Sequence, residues 1–247
     1  MITDPSSNLI LENAETLARQ FQNSTAEELL MWALARFGDS LTLACSFGAE
    51  DVVLLDMLSR ITTSPRAFVL DTGRLHPETY ELMERCRNRY GVNFETFYPQ
   101  TSTIQRMVTT KGPLSFFESV ENRKECCFIR KVEPLQRALE GKDGWITGLR
   151  RGQSMTRAEL LKVEVDEAHQ GIFKLNPLSD WSEDQVWEYI RGRNVPYNKL
   201  HDLGFPSIGC QPCTRAVAPG EDLRAGRWWW EQPQNKECGL HIAVQPR

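Results

Sequence analysis

The sequence predicts an α/β fold: a mainly parallel sheet with helices on both faces. Two stretches carry that expectation. Leu41–Cys45 is a short apolar run that breaks at Ser46-Phe47-Gly48-Ala49-Glu50-Asp51 and leads into an apolar helix over Val52–Leu58. Ala67–Leu70, then Asp71-Thr72-Gly73-Arg74, then a helix over Pro77–Tyr90 repeat the order. Strand, tight turn and helix in succession argue for parallel strands, whose ligands collect at their carboxyl ends. The third observation is size: 247 residues with 40% hydrophobic content suffice for one large core.

Charge narrows the function classes. The net charge of −4, from 29 basic and 33 acidic residues, gives no general affinity for nucleic acid or for an acidic membrane surface. Any anion must be met by local Arg and Lys. Met1-Ile2-Thr3-Asp4-Pro5 has no basic lead into an apolar run, and no apolar stretch reaches a spanning length. These features predict a cytoplasmic protein. In a reducing compartment the seven cysteines point to metal, cluster or thiol chemistry rather than disulfides.

In chain order, residues 9–37 read as two helices, the second started by a capping box at Ser24-Thr25-Ala26-Glu27. In the turn after the first strand, Ser46, Phe47 and Gly48 offer backbone N–H groups and a hydroxyl above the sheet edge, which suits a phosphate or sulfate. It is neither a Walker loop nor a dinucleotide G-x-G-x-x-G. In the second turn, Asp71 and Thr72 are candidates to bond a ribose or adenine edge, with helix capping as the plainer role for Asp71. Cys86 reads as a packed, inert thiol. Val92–Phe97 is a third strand, and residues 99–120 a helix and a variable loop. Trp145–Leu149 is another strand, whose exit carries Gly148, Arg150 and Arg151; guanidinium forks there match phosphate or sulfate oxygens. Residues 171–177 resemble a strand, and Trp181-Ser182-Glu183-Asp184 starts a capped helix through Ile190.

The cysteines supply the chemistry. Cys126-Cys127 and the later Cys210-Gln211-Pro212-Cys213 make a candidate four-thiolate site. Helical neighbours diverge by about 100°, a splay that straddles an iron–sulfur cube more readily than one small ion. A [4Fe–4S] cluster therefore leads, with structural zinc open and a vicinal disulfide disfavoured by the compartment. Arg130 lies four after Cys126 and Lys131 four after Cys127, so both cations flank the thiolates. Cys238 stands outside both pairs, on the tail, and is the candidate nucleophile. Lys131, Arg224 and Arg227 are the cations expected to lower its pKa. Trp228-Trp229-Trp230 reads as either an aromatic platform for adenine or an anchor docking the tail, with the anchor favoured because three consecutive rings cannot all face one pocket. The expected division is helices at 1–37 packing on the core, a nucleotide- and cluster-binding domain at 38–220, and a mobile catalytic tail at 221–247.

Ser46-Phe47-Gly48-Ala49-Glu50-Asp51, Leu70-Asp71-Thr72-Gly73, Cys126-Cys127, Ile146-Thr147-Gly148-Leu149-Arg150-Arg151, Cys210-x-x-Cys213, Arg224-Ala225-Gly226-Arg227-Trp228-Trp229-Trp230 and Glu237-Cys238-Gly239-Leu240-His241 occur in this order. Together they make the chain resemble the assimilatory adenylyl-sulfate reductase family over roughly residues 40–241. The resemblance implies an adenine nucleotide α-hydrolase-like fold and a [4Fe–4S] cluster on Cys126, Cys127, Cys210 and Cys213. It implies thioredoxin-dependent reduction of adenosine 5′-phosphosulfate to sulfite and AMP, in sulfate assimilation, through an S-sulfocysteine. Relatives specific for the 3′-phosphorylated substrate lack the cluster cysteines, so the retained four favour the unphosphorylated nucleotide, although some cluster-bearing relatives accept both. Plant-type relatives carry a glutaredoxin-like domain; only six residues follow His241, so a separate reductant is expected. A homo-oligomer is left open. Two readings compete: a zinc-stapled nucleotide-binding module with an incidental Cys238, and an ATP-splitting transferase on the same fold. The transferase expects Ser-Gly-Gly-x-Asp-Ser, and Ser46–Asp51 lacks its glycine pair and final serine.

Overall fold

The computed structural model describes residues 15–154, 157–232, 236 and 239–240. Leu41–Ala44 (β1), Ala67–Leu70 (β2), Phe94–Phe97 (β3), Gly144–Ile146 (β4), Val163–Asp166 (β5) and Ile172–Leu175 (β6) form one sheet in the order β3-β2-β1-β4-β6-β5. All pairings are parallel except β5 against β6, which runs antiparallel from Val163↔Leu175 to Asp166↔Ile172. β6 is the strand expected at 171–177. β5 adds an edge strand that the sequence reading does not contain, although its Val-Glu-Val-Asp alternation is the pattern of a strand buried on one face.

Seven helices surround the sheet among the described residues: Ala26–Phe37 (α1), Ala49–Ile61 (α2), Pro77–Tyr90 (α3), Thr101–Lys111 (α4), Val120–Cys127 (α5), Glu133–Leu139 (α6) and Glu183–Arg193 (α7). Residues 15–21 are also helical. The capping box of α1 lies one residue later than expected: Thr25 Oγ1 accepts from the Glu28 N–H at 3.2 Å, and Glu28 Oε2 accepts from the Thr25 N–H at 2.7 Å. Only at this register does the acidic side chain reach the cap backbone.

Alternation along the strands sorts the core into two layers. Leu41, Leu43, Ala67, Val69 and Ile146 face α1 and α2, and Phe68 and Trp145 face Leu135, Ala138 and Leu139 of α6. Helices therefore cover both faces. α2 is buried along most of its length, and the one carboxylate in its middle, Asp56, accepts hydrogen bonds from Tyr90 and Tyr189, each at 2.9 Å. Those bonds satisfy a buried charge and tie α2 to α3 and α7. Cys86 is fully buried, and burial pushes its thiol up to about 12, in line with an inert packed residue. No helix among the described residues is long and apolar enough to cross a membrane. A smaller apolar cluster of Met107, Phe116, Cys126, Ile129, Cys213 and Trp228 seats the cysteine pairs beside the sheet.

Candidate functional site

Chain connections diverge on either side of β1, and a cavity of about 980 Å³ opens over the carboxyl ends of β1, β2 and β4. Ser46, Gly48, Leu70, Gly148 and Arg150 line it from the sheet. Lys131, Arg224 and Arg227 line it from the cysteine helix and the tail.

Four of the expected substrate-binding residues are placed elsewhere. Phe47 is fully buried with φ 63°, and its ring meets Phe94 at 5.1 Å. What it contributes to the turn is backbone. Asp71 Oδ1 accepts from the Gly73 N–H at 2.8 Å and the Tyr80 hydroxyl at 3.0 Å, while the N-cap of α3 is His76. Thr72 meets the Cys210 thiol at 3.2 Å through its hydroxyl and Arg130 through its carbonyl, so it serves the cysteine side. Arg151 Nε donates to the Leu160 carbonyl at 2.8 Å.

The turn after β1 also differs in polarity from the expected anion cradle. Ser46 donates its N–H and hydroxyl to Asp51 Oδ2 at 2.7 and 2.6 Å. Asp51 is buried, and burial raises its carboxyl to about 6 against the opposing pull of those hydrogen bonds. Glu50 pairs with Arg150 at 2.7 Å, with side chains 15% and 6% exposed. This end of the cavity presents carboxylates, so it suits donors such as ribose hydroxyls or an adenine amino group better than a phosphate. The cavity lining thus carries the Glu50 and Asp51 carboxylates of the β1 turn, the first paired with Arg150, together with the cations Lys131, Arg224 and Arg227.

Gly148 lets the β1 and β4 loops touch. A Cβ there would stand 2.4 Å from Asp51 Oδ1 and 2.8 Å from Glu50 Cβ. Gly148→Ala is expected to force the loops apart, costing about 1–3 kcal/mol of stability and weakening AMP binding by about tenfold or more through misplacement. Chemical denaturation and calorimetric titration with AMP check both values.

The second cavity is small, and Cys126, Cys127, Cys210 and Cys213 all line it. α5 ends on Cys126-Cys127 and continues as a π-helical turn over Phe128–Val132, whose extra residue per turn brings Arg130 and Lys131 to the same cavity. All four cysteines are free thiols. Among the described residues no three His, Cys, Asp or Glu side chains are grouped to hold a metal ion. What the four share is the wall of this one small cavity.

The electrostatics fit a charged inorganic group. The Cys213 thiol is pushed up to about 12, first by burial and then by the other three thiols, against the opposing charge of Lys131. Cys126 is raised by burial while Arg130 and Arg74 lower it. Sulfurs that raise one another do not all ionise unaided, and a metal group bound among them would supply the missing positive charge. Arg130 is 6% exposed, and its Nε lacks an acceptor among the described residues, which suits a sulfur acceptor in that cavity. Arg74 and Arg123 also line this wall. Sequence reading passed over both, although Arg123 precedes Cys126 by three positions and Cys127 by four on one helix.

Lys131, Arg227 and Trp228 line both cavities and form the partition between them. The tail is fastened at this partition. Trp228 N donates to the Cys213 carbonyl at 3.0 Å, Thr214 and Arg227 form an antiparallel bridge, and Arg215 N donates to the Gly226 carbonyl at 3.0 Å. Trp228 is buried, Trp230 packs on Phe117 at 4.4 Å, and Trp229 is exposed, so two of the three rings anchor the tail. Cys238 lies outside the described residues. On one side of it the Lys236 carbonyl accepts from Arg224 at 3.2 Å, and on the other Leu240 lines the large cavity.

The sequence signature of the phosphoadenosine phosphosulfate reductase domain matches residues 40–216. The chain belongs to this family. Within it, the chain is 52% identical over 220 residues to the adenosine 5′-phosphosulfate reductase of Allochromatium vinosum, across 89% of this chain and 85% of that one. It is 53% identical over 214 residues to the adenosine 5′-phosphosulfate reductase of Burkholderia cepacia, across 85% of each. Of solved structures in the family, the phosphoadenylyl-sulfate (PAPS) reductase of Candida auris superposes with TM-score 0.71 at 31% identity, over 88% of this chain and 99% of that one. An FMN adenylyltransferase from Candida glabrata matches with TM-score 0.53 at 14% identity, over 97% of this chain and 88% of that one, and shares the fold alone. The reductase family sheet is thus the adenine nucleotide α-hydrolase-like one expected.

Proposed function

We propose that this chain is a thioredoxin-dependent adenylyl-sulfate reductase, which converts adenosine 5′-phosphosulfate to sulfite and AMP in the cytoplasm during sulfate assimilation. The observation that carries the reading is one cavity over the carboxyl strand ends that gathers Lys131, Arg224 and Arg227, cations for the phosphosulfate, and the carboxylates of the β1 turn, acceptors for the nucleoside, beside the anchored tail. The names of the relatives that span most of the chain agree with it.

The Cys238 thiolate attacks the sulfonyl sulfur. A sulfur–sulfur bond forms, the sulfur–oxygen bond to AMP breaks, and AMP leaves with that electron pair. Lys131, Arg224 and Arg227 offset the charge on the sulfonate and the departing phosphate. One thiolate of the thioredoxin dithiol then attacks Cys238 Sγ and expels sulfite, and its second thiol resolves the mixed disulfide. Two electrons pass from the dithiol to the substrate sulfur, and the Cys238 thiol is regenerated. Cys126, Cys127, Cys210 and Cys213 are the residues that would hold a [4Fe–4S] cluster, which when bound supplies a compact charge centre beside Lys131.

An anaerobic assay with purified protein tests the reading. Sulfite is expected from adenosine 5′-phosphosulfate only when reduced thioredoxin is present, with iron and acid-labile sulfide in equal amounts and no zinc. The 3′-phosphorylated nucleotide run in parallel measures the breadth of the substrate range. Zinc with no sulfite from either nucleotide would leave a nucleotide-binding module in its place.

A further inference from the structure

The most thoroughly buried ion pair among the described residues joins the wall of the cysteine cavity to the tail. Arg123 donates to Glu231 twice, Nε to Oε1 at 2.8 Å and Nη2 to Oε2 at 2.7 Å, with side chains 1% and 3% exposed. Arg123 belongs to α5, which carries Cys126 and Cys127, and it also interacts with the Cys127 thiol. Glu231 belongs to the tail, directly after the three tryptophans. The pair therefore joins the cysteine helix to the tail across 108 residues of sequence.

Two guanidiniums approach the Trp228 ring. Arg123 Cζ stands 4.9 Å from the indole centroid and Arg227 Cζ 4.7 Å from it. Trp228 holds φ 40°, a left-handed backbone conformation that costs a non-glycine residue energy and persists only when its surroundings over-determine it. Beyond the ring, Arg227 Nη1 donates to Ser207 Oγ at 3.2 Å and the Ile208 carbonyl at 3.3 Å. A Cβ on Gly209 would fall 2.5 Å from the same guanidinium, so Arg227 is seated against bare backbone on that side. Two guanidiniums share one ring, and the carboxylate of Glu231 neutralises the first of them. A bare Lys or Arg held only by bulk packing would not need this arrangement; a guanidinium held at a fixed place in an anion site does.

We propose that Arg123 and Glu231 are positioning residues: through Trp228 they fix Arg227 in the wall of the large cavity, so that the cysteine helix and the anion-binding tail set one another's geometry. The proposal rests on the nucleotide reading above and names how one of its cations is held. Glu231→Gln alone would strand a buried cation and change the local charge, so the informative variant is Arg123→Gln/Glu231→Gln, which removes the pair and keeps the net charge. Glu231→Asp retains the carboxylate and is the rescue. The probes are ADP, whose second anionic group stands in for the sulfonate, and adenosine, which has neither anionic group.

In the holoprotein the double variant is expected to bind ADP about tenfold more weakly and adenosine as the wild type does, with unchanged iron per chain and Glu231→Asp restoring most of the ADP affinity. Unchanged ADP affinity would overturn the proposal. So would a parallel loss for ADP and adenosine, or a loss of iron in step with ADP affinity, each of which marks a pair that serves folding or the cysteine helix alone. If the double variant does not fold, Arg123→Lys decides, since it keeps the charge but loses the paired bonds to Glu231 and the guanidinium over Trp228: weakened ADP binding with normal adenosine binding supports positioning, and wild-type binding of both together with a lowered melting temperature refutes it. Failure of the wild type to bind either probe would instead remove the nucleotide reading itself.

Discussion

Replacing Cys238 with serine is expected to abolish sulfite formation while iron content and AMP affinity stay at wild-type values. A serine hydroxyl is not ionised near neutral pH, so no sulfur–sulfur bond forms, and loss of a covalent nucleophile costs on the order of 10⁴ or more in turnover. Intact mass gives a direct reading. Wild-type protein mixed with adenosine 5′-phosphosulfate and no dithiol should gain one SO₃, lose it on addition of reduced thioredoxin, and show neither change as the serine variant. The other thiols outside the cysteine quartet are poor substitutes. Cys45 lines the large cavity but is 3% exposed, and burial holds its thiol well above the ordinary range. Cys86 is fully buried inside α3. Sulfite produced at the normal rate by the serine variant would therefore overturn the chemistry as a whole, not just reassign its nucleophile.

The second large effect is expected at Lys131. Its side chain lines both cavities, and its charge opposes the upward shift of the Cys213 thiol. In the proposed reaction a cation at that partition would face the thiolates in the ground state and the sulfonate and phosphate as the sulfur–oxygen bond breaks. Removing one preorganised group of this kind costs about 10²–10³ in kcat. Lys131→Ala should therefore lose that much turnover with its iron retained, and Lys131→Arg should recover part of it, because the charge is kept but the head group is larger. Steady-state kinetics with iron analysis separate the outcomes. Iron lost in proportion to activity would make Lys131 a support of the cysteine site, and unchanged turnover would remove it from the reaction.

The elements that place the site were legible because buried parallel strands announce themselves by length and flanks. Leu41–Ala44 and Ala67–Leu70 are short apolar runs bounded by glycine-bearing turns, and both formed where expected. Arg130 and Lys131 do reach the cavity of Cys126 and Cys127, but over a π-helical turn at Phe128–Val132 rather than the regular helical spacing that the sequence suggests. Side-chain direction inside the turns was less legible. Phe47 and Asp71 sit in the expected turns yet point to Phe94 and Tyr80, partners that only the folded sheet supplies. The polarity of the first turn depended on Asp51 folding back on Ser46, which satisfies the donors that a glycine-containing turn advertises to an anion. β5 escaped notice because four residues on the sheet edge bury only one side chain.

The close approach at Gly148 has a bearing on how this cavity can change. With the β1 and β4 loops already in touch, no side chain can be added at that seam without displacing Asp51 and Glu50. Enlargement for a bulkier ligand, whether by natural drift or by engineering, is thus closed at this seam. Room remains in the lining around Pro219, Gly220 and Leu223, where the chain is exposed and a Cβ on Gly220 would meet nothing within 4 Å.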